Sequence, residues 1–236
     1  VVGERARLEL ETEAGKLLLH GVVIEFAAED PLGDQGHVYR VTIAPRLDLL
    51  KLSRQNQVYG TASKVSIKDI LEKELEGSLG ANHGHISIEH ELNLTASYRK
   101  REFIVQYQES DFAFLSRWCE SSGVFYFFKQ GTDGETVSFA DNNVAFVESA
   151  AASLPYRHGH GAIATAQAAV TSFGFVARPI AKSVVLRDYN PDRPSLTLRS
   201  SSDVAGGKIG TVIEYGPHFL DPAEGDYLAR VRAEEI

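Results

Sequence analysis

The sequence predicts a mainly β protein with a few short helices, and three kinds of pattern support this fold class. Several short segments alternate apolar and polar residues with the period of two that is typical of half-buried strands. Such segments are often separated by short turns rich in Gly, Pro, Asn or Asp, as in antiparallel hairpins. Three further segments carry apolar residues at helical spacing, and two of them have residues suited to helix ends.

The N-terminal region predicts three strands of an antiparallel meander. The predicted strands are Arg5–Glu11, Leu17–Ala28 and His37–Ile43. Glu13 to Lys16 form a predicted hairpin turn between the first two, and Asp30 to Asp34 break the chain before the third. In the first strand Ala6, Leu8 and Leu10 share a face without charge. We therefore expect one face of this meander to be apolar.

A first helix is predicted to begin after Ser66. Ser66 is suited to the N-cap, and Asp69 three residues later forms a variant of the capping box. The apolar side of this helix follows helical spacing and consists of Ile67, Ile70, Leu71 and Leu75. The side expected to face water contains Lys68, Glu72 and Lys73.

A second helix is predicted from about Ser110 to Ser122. Ser110 is suited to the N-cap, Asp111 to the first turn, and Gly123 to the position after the helix end. Apolar residues occupy a wide arc of this helix, and they are Phe112, Ala113, Phe114, Leu115, Trp118 and Cys119. A helix that is apolar over such an arc is expected to lie between two layers.

Strands are predicted on both sides of this helix. Glu102 to Gln108 place Phe103, Val105 and Tyr107 on one face. Val124 to Phe128 are apolar on both faces, which indicates a central, covered strand. A hairpin loop at Gly131–Glu135 then leads into a return strand through Val137 and Phe139.

The C-terminal part begins with a connector of low structural signal from Asn142 to Ala169. Strands are predicted at Ala168–Ala177, Ser183–Tyr189 and Ser195–Ser200, with a turn at Asn190–Pro194 and a loop at Ser201–Gly207. The pattern from Ala223 to Ile236 predicts a charged helix whose apolar side consists of Tyr227, Leu228 and Val231.

Composition excludes several classes of protein. The 236 residues are 43% hydrophobic and 24% charged, which is ordinary for a globular chain. The net charge of −8 argues against a nucleic-acid surface, and no apolar run is long enough to span a membrane. A single Cys excludes an internal disulfide. The chain begins Val1-Val2-Gly3, contains no Met and shows no signal peptide, so we expect either a processed N-terminus or a piece cut from a longer protein.

No catalytic, cofactor-binding or metal-binding residue can be assigned from the residues themselves. Cys119 lies late in an apolar helix, which favours a buried small residue over a nucleophile. The pairs His83/His85 and His158/His160 lie in Gly-containing loops without a third ligand. The acidic residues considered as possible catalytic groups are Glu109, Asp111, Asp141 and Asp188. No pair of them is marked out for acid–base chemistry, and no nucleotide or hydrolase motif is present.

One long segment is specific enough to carry a family resemblance. It runs from Val105 to Arg117, with the sequence VQYQESDFAFLSR, and is followed by GVFYFF at 123–128. Further matching segments occur in order at 37–47, 65–71, 186–196, 214–218 and 229–235. Together they resemble valine–glycine repeat protein G (VgrG), the tip protein of type VI secretion, in its part related to the phage baseplate hub and late control protein D.

The resemblance implies two tail-tube-like antiparallel β-barrels with interspersed short helices. Residues 1–78 would form the first barrel, lacking its opening strands and completed by residues 168–201. Residues 79–167 would form the second barrel. Residues 168–236 would supply return strands and a C-terminal helix shared between the two. In this family the segment around Asp111 to Arg117 is a folding element without chemistry.

The resemblance also implies a structural function. Three subunits would form a ring that caps the hexameric tube of haemolysin-coregulated protein (Hcp) and carries a membrane-puncturing needle lying beyond Ile236. The expected partners are a homotrimer, Hcp, baseplate proteins and effectors, with no cofactor, no nucleic acid and no membrane insertion. Assembly is expected in the bacterial cytoplasm, followed by translocation out of the cell or into a target cell.

Two other functions stay open at this point. A baseplate hub of a contractile phage or prophage tail would share the fold and differ in context. A cell-wall hydrolase would need a cleft with two close carboxylates, or a metal bound by His158 and His160.

Overall fold

The computed structural model describes residues 1–12, 15–29, 37–76, 88–146, 155–156 and 169–236. The chain divides into two compact units. Unit 1 contains Val1–Arg117 and Phe125–Phe173, and unit 2 contains Trp118–Val124 and Gly174–Ile236. The described strands form three three-stranded sheets and one two-stranded sheet, and the chain is mostly β with some helix, as predicted. The division into two barrels stays a prediction.

The predicted N-terminal meander is confirmed. Strands β1 (Arg5–Thr12), β2 (Gly15–Glu29) and β3 (Val38–Ala44) form one antiparallel sheet in the order β1-β2-β3. Thr12 is paired with Gly15 at the end of the first hairpin. The predicted turn residues 13–14 and the predicted break at 30–34 lie outside the described residues.

The next elements are a 3-10 turn (Arg46–Lys51), strand β4 (Arg54–Tyr59) and helix α1 (Ile67–Leu75). The predicted capping box is present, because Ser66 Oγ accepts from Asp69 N at 3.3 Å while Asp69 Oδ2 accepts from Ser66 N at 2.8 Å. The hydrogen bond from the Ser66 backbone lowers the pKa of Asp69. Strand β4 was not predicted.

Four further strands belong to unit 1, and helix α2 begins in unit 1 and ends among the residues assigned to unit 2. They are β5 (His90–Asn93), β6 (Ile104–Ser110), α2 (Asp111–Ser121), β7 (Phe125–Gln130) and β8 (Glu135–Ala140). Strand β6 pairs antiparallel with β4, and β8 lies between β5 and β7. The prediction of a central strand at 124–128 is therefore wrong: β7 is at the edge of its sheet, and its return strand β8 is central and buried.

The ends of α2 are as predicted. Ser110 Oγ accepts a hydrogen bond from Ala113 N at 3.2 Å, and Gly123 has a φ of 69° after the helix. The buried side of the helix is narrower than expected. Phe114, Leu115 and Cys119 are buried, whereas Phe112 and Trp118 are only half-buried. The helix is thus covered along one stripe and not over the whole apolar arc.

Unit 2 is built on its own three-stranded sheet, against which a helix packs. Its elements are β9 (Ser183–Asp188), β10 (Leu198–Asp203), β11 (Thr211–Tyr215) and α3 (Pro222–Glu235). Strand β9 is central, antiparallel to β10 and parallel to β11. The strand predicted at 195–200 corresponds to β10, which begins three residues later at Leu198 and extends to Asp203, within the predicted loop. The predicted strand at 168–177 is wrong for residues 169–177, which contain only an isolated bridge from Val170 to Tyr156.

The predicted C-terminal helix is present, but its buried side is different. The buried residues of α3 are Gly225, Ala229 and Ala233, whereas the predicted apolar residues Tyr227, Leu228 and Val231 are half-buried. A Cβ atom on Gly225 would lie 2.6 Å from the ring of Phe219. Small residues therefore let α3 lie close to the strands of unit 2. Within the described residues, no helix is both long and apolar enough to cross a lipid bilayer.

Candidate functional sites: an exposed apolar sheet face and a buried polar cluster

The most unusual surface of the described chain is one face of the β1–β2–β3 sheet. Its side chains are the apolar members of the predicted alternation, yet each is between 36% and 55% exposed. They are Leu8, Leu10, Leu17, Leu19, Phe26, Tyr39, Val41 and Ile43. We call this surface the meander face. An antiparallel sheet normally packs its apolar face on a core, so the meander face is a candidate interaction surface.

A β-bulge keeps the meander face continuous. Val23 is paired with Ile43 and Glu25 with Thr42, so Ile24 is an extra residue in β2. Because of this extra residue, Leu19 before the bulge and Phe26 after it lie on the same side of the sheet. Phe26 also stacks on Tyr39, with ring centroids 5.4 Å apart.

The opposite face of the same sheet is polar. It carries ion pairs from Arg7 to Glu9, with the nitrogen and oxygen 3.7 Å apart, and from Arg40 to Glu29 at 3.2 Å. These pairs are well exposed and contribute little to stability. The apolar face is therefore the candidate for contact with another protein.

A smaller apolar surface lies on the β4–β6 sheet. Val58, Phe103 and Tyr107 are 46%, 67% and 69% exposed and lie on the same side of this region. The sequence predicted that Phe103, Val105 and Tyr107 share a face, and the structure places this face outward. The inward face of the sheet carries Ile104 and Gln106 instead.

A buried polar cluster lies on the inward side of the β4–β6 sheet. It is formed by five side chains from β4, β6, α1 and α2. They are Gln55, Tyr59, Glu74, Gln106 and Asp111, and we call them the Glu74 cluster. Asp111 accepts from Gln106 Nε2 at 2.8 Å and from Gln55 Nε2 at 3.0 Å. The Tyr59 hydroxyl lies 2.7 Å from Glu74 Oε1 and 3.2 Å from Gln106 Oε1. The cluster connects β4, α1, β6 and the start of α2.

Of this cluster, the sequence singled out Asp111, as a first-turn helix residue and an acidic candidate, Gln106 only as part of the long family segment, and Tyr59 only as one of several strand aromatics. Glu74 was missed, although a usable signal exists. It lies at helical spacing from Ile67, Ile70 and Leu71, and therefore on the buried side of α1. Gln55 and Tyr59 lie in β4, which was not predicted.

The acidic residues considered as catalytic candidates each have a structural role. Glu109 pairs with Arg117, and Asp188 accepts from Phe219 N at 3.2 Å. Asp141 accepts from Ala96 N, Thr95 N and the Tyr98 hydroxyl at 2.6, 2.7 and 2.9 Å. Burial alone would raise the pKa of Asp141, but these hydrogen bonds outweigh it and lower the pKa.

Cys119 is buried, as expected, and burial raises the pKa of its thiol to about 12. It is therefore not an activated nucleophile. The histidine pairs at 83/85 and 158/160 lie outside the described residues. In the part of the chain that the structure describes, no group of three or more His, Cys, Asp or Glu side chains is arranged to hold a metal ion.

Unit 1 also contains an open cleft of about 580 Å³ between the β1–β2 and β7–β8 hairpins. Three arginines line it, together with three carboxylates; these residues are Arg5, Arg7, Arg46, Glu89, Asp133 and Glu135. Glu135 is already engaged, because Oε1 accepts from Arg46 N at 2.9 Å.

The chain is similar to known proteins over its whole length. It is 29% identical to the type VI secretion system spike protein VgrG5 of Pseudomonas aeruginosa over 97% of this chain, and 25% identical to VgrG4b of the same organism over 98%. The chain spans only 29% of the length of each relative. It is also 30% identical over 142 residues to the actin cross-linking toxin VgrG1 of Vibrio cholerae, covering 12% of that protein.

A solved structure and a family agree with these relatives. The E. coli c3393 protein is described as a component of the type VI secretion system with structural similarity to the T4 tail proteins gp27 and gp5. The match covers 59% of this chain and 37% of the c3393 chain, with 28% sequence identity and a TM-score of 0.51. The family described as phage tail baseplate hub (GPD) matches residues 1–236, so the chain belongs to this family.

Proposed function

We propose that this chain is the hub region of a type VI secretion tip protein. In this proposal three copies form a ring that caps an Hcp tube, and the needle is carried by another part of the polypeptide. The observation that carries the proposal is the hub-family match over all 236 residues, together with the similarity to VgrG spike proteins. Because those relatives are much longer than this chain, the needle is assigned to a region outside the similarity.

The meander face supports an assembled state. It is a continuous apolar surface that no described element covers, and surfaces of this kind mark protein interfaces. A homotrimer requires extensive contact between copies, and the meander face and the Val58–Phe103–Tyr107 surface are the two candidates in unit 1. The two-barrel division into residues 1–78, 79–167 and 168–236 belongs to the same proposal.

The proposed role is structural and not enzymatic. The acidic candidates and Cys119 are engaged in hydrogen bonds, ion pairs or burial, and the named relatives include spike proteins. Baseplate proteins and effectors are the further partners, and the complete protein is assembled in the cytoplasm before translocation. The proposal includes no cofactor, nucleic acid or membrane insertion for this region.

A phage or prophage tail hub is the second candidate, because the matching family is named for the phage baseplate. Capture of Hcp discriminates between the two. The full product of the gene should bind purified Hcp hexamers and should have the mass of a trimer by light scattering. Binding to a phage tail-tube protein in place of Hcp would support the second candidate.

Two results would contradict the structural role. One is a full-length product that is monomeric at high concentration and binds neither tube protein. The other is peptidoglycan turnover by this chain that a single carboxylate substitution abolishes.

A further inference from the structure

The proton positions in the Glu74 cluster follow from its heavy-atom geometry. Asp111 is surrounded by amide donors, since Nε2 of Gln106 and Nε2 of Gln55 both lie within 3.0 Å of its Oδ1. Gln57 Nε2 in turn donates to Gln55 Oε1 at 3.1 Å, which fixes the orientation of the Gln55 amide. Asp111 is also the first residue of α2, where the helix dipole favours a negative charge. Asp111 is therefore the carboxylate on which the amide donors of the cluster converge.

The orientation of Gln106 then constrains Tyr59. Because Gln106 Nε2 points to Asp111, its Oε1 faces the Tyr59 hydroxyl at 3.2 Å. The same hydroxyl lies 2.7 Å from Glu74 Oε1. A hydroxyl has one proton to donate, so it cannot donate to both oxygens.

Protonation of Glu74 resolves this conflict. A protonated Glu74 donates to the Tyr59 oxygen, Tyr59 donates to Gln106 Oε1, and Gln106 donates to Asp111. Each of these buried atoms then has a partner. With Glu74 ionised, two buried carboxylates share one network and Gln106 Oε1 loses its donor, which is costly in a buried site.

We propose that Glu74 carries a proton in the folded chain and that loss of this proton weakens the contact of α1 with the β4–β6 sheet. This inference goes beyond the hub function and does not depend on it. It assigns a pH-responsive contact to unit 1, formed by Glu74 from α1, Tyr59 from β4, Gln106 from β6 and Asp111 from α2.

The electrostatic surroundings agree with the geometry. Burial raises the pKa of Glu74 to about 7, the hydrogen bond with Tyr59 opposes this rise, and the charge of Asp111 adds to it. Burial also raises the pKa of Tyr59 above its usual range, so the phenol stays protonated. The titratable groups that act on Glu74 are Tyr59 and Asp111, and within the described residues no Lys or Arg forms an ion pair with it.

The direction of the pH dependence follows from these values. The ordinary pKa of a glutamate side chain is 4.5 and that of Glu74 in the folded chain is about 7, so the folded state holds the proton more tightly. This contribution to stability is complete below about pH 4.5 and is lost as the pH rises to about 7. Between these two pH values, the loss of this one proton should raise the unfolding equilibrium constant about tenfold per pH unit.

The test compares the wild type with Glu74→Gln in urea unfolding between about pH 4.5 and about pH 8. A glutamine at 74 stays neutral at every pH and can still donate to Tyr59. We expect the ratio of the two unfolding constants to change by more than tenfold over this range, with the variant favoured at high pH. The matched control Glu72→Gln, a half-exposed glutamate on the same helix, should leave the ratio constant.

Parallel stability curves for wild type and Glu74→Gln would overturn the inference. If the variant does not fold, the wild type can be tested directly by carbon NMR of labelled glutamate carboxyls. A carboxyl that titrates near neutral pH supports the inference, and titration of all glutamates in the usual range overturns it. Hydrogen exchange of the α1 amides should also be slower in Glu74→Gln than in wild type at about pH 8. None of these readouts involves Hcp or trimer formation, so they are independent of the hub proposal.

Discussion

Units 1 and 2 differ in how the apolar face of a sheet is covered. In unit 2 the inner face of the sheet and α3 form an apolar cluster of Val184, Leu186, Leu198, Val204, Phe219, Ala229 and Ala233. In unit 1 the β4–β6 sheet has polar side chains beside Ile104 on its inner face, and the described part of the β1–β2–β3 sheet has an exposed apolar face. The difference shows that unit 2 covers its apolar sheet face with its own helix. Among the described residues of unit 1, no element covers the meander face in this way.

The largest effect is expected from the apolar cluster of unit 2. Phe219 is fully buried, and Phe219→Ala should reduce the free energy of unfolding by about 3–5 kcal/mol, because it removes a large side chain and leaves a cavity. Denaturant unfolding measures this loss. Phe173→Ala is the matched control, since Phe173 is 78% exposed and its truncation should change stability by less than about 0.5 kcal/mol. Similar losses for both would show that the unit 2 cluster is not packed as described.

A smaller loss is expected from the polar interior of unit 1. Gln106→Leu keeps the side-chain size but removes a donor to Asp111 and an acceptor from Tyr59. Leaving these buried partners unsatisfied should cost about 1–3 kcal/mol, measurable by urea unfolding. A more stable Gln106→Leu variant would mean that an apolar interior suits unit 1 as well as it suits unit 2, and the comparison would then fail.

The next effect concerns a single hydrogen bond within unit 2. The hydroxyl of Tyr227 donates to the carbonyl oxygen of Ser122 at 2.8 Å. Tyr227→Phe should reduce the free energy of unfolding by about 0.5–1.5 kcal/mol. Tyr215→Phe, at a residue that is 74% exposed, should have no measurable effect. Equal effects would indicate that the bond from Tyr227 adds nothing to the apolar packing of unit 2.

The smallest effect on folding is expected at the meander face. Leu10→Ser should change the stability of the isolated chain by less than about 0.5 kcal/mol, because Leu10 is exposed. If the meander face is an interface, the same change should weaken the assembly of the full-length protein, and light scattering should then give a lower particle mass. Val144→Ser is the matched control, since Val144 is 92% exposed and lies outside this face. A loss of several kcal/mol on Leu10→Ser would show that the meander face is part of a core.

The sequence predicted those elements whose signals are local. Strands β1 to β3 follow from alternation, and the start of α1 follows from the side chains of Ser66 and Asp69. The hairpin between β7 and β8 follows from its Gly-containing turn, closed by a hydrogen bond from Gly131 N to Gly134 O. Each of these features depends on residues close together in the chain.

The elements that were missed or misread depend on partners that are distant in the chain. Strand β4 reads RQNQVY, and its buried Gln55 suggests a loop until its hydrogen bond to Asp111 is known. The buried side of α3 was misread because close packing against Phe219 selects small residues such as Gly225 and not large apolar ones. Strand β7 was placed at the centre of its sheet because it has aromatic residues on both sides. An edge strand whose two faces are half-buried, as those of β7 are, has the same sequence pattern.

The candidate sites were predicted only in part. The apolar alternation of Leu8 and Leu10 was evident, but a pattern cannot indicate whether the apolar face meets its own chain or another one. Glu74 required a different inference, namely that a carboxylate on the buried side of a helix needs a polar partner. That partner, Tyr59, lies in the strand that was not predicted.

The extra residue in β2 has a consequence for how the length of this strand can vary among related sequences. Removing Ile24 would leave Val23 opposite Ile43 and Phe26 opposite Val41, so every remaining side chain would keep its side of the sheet. A single deletion elsewhere in β2 would move the following residues to the other side. Single-residue gaps in alignments of this strand are therefore expected to fall at Ile24, and gaps at other positions are expected to come in pairs.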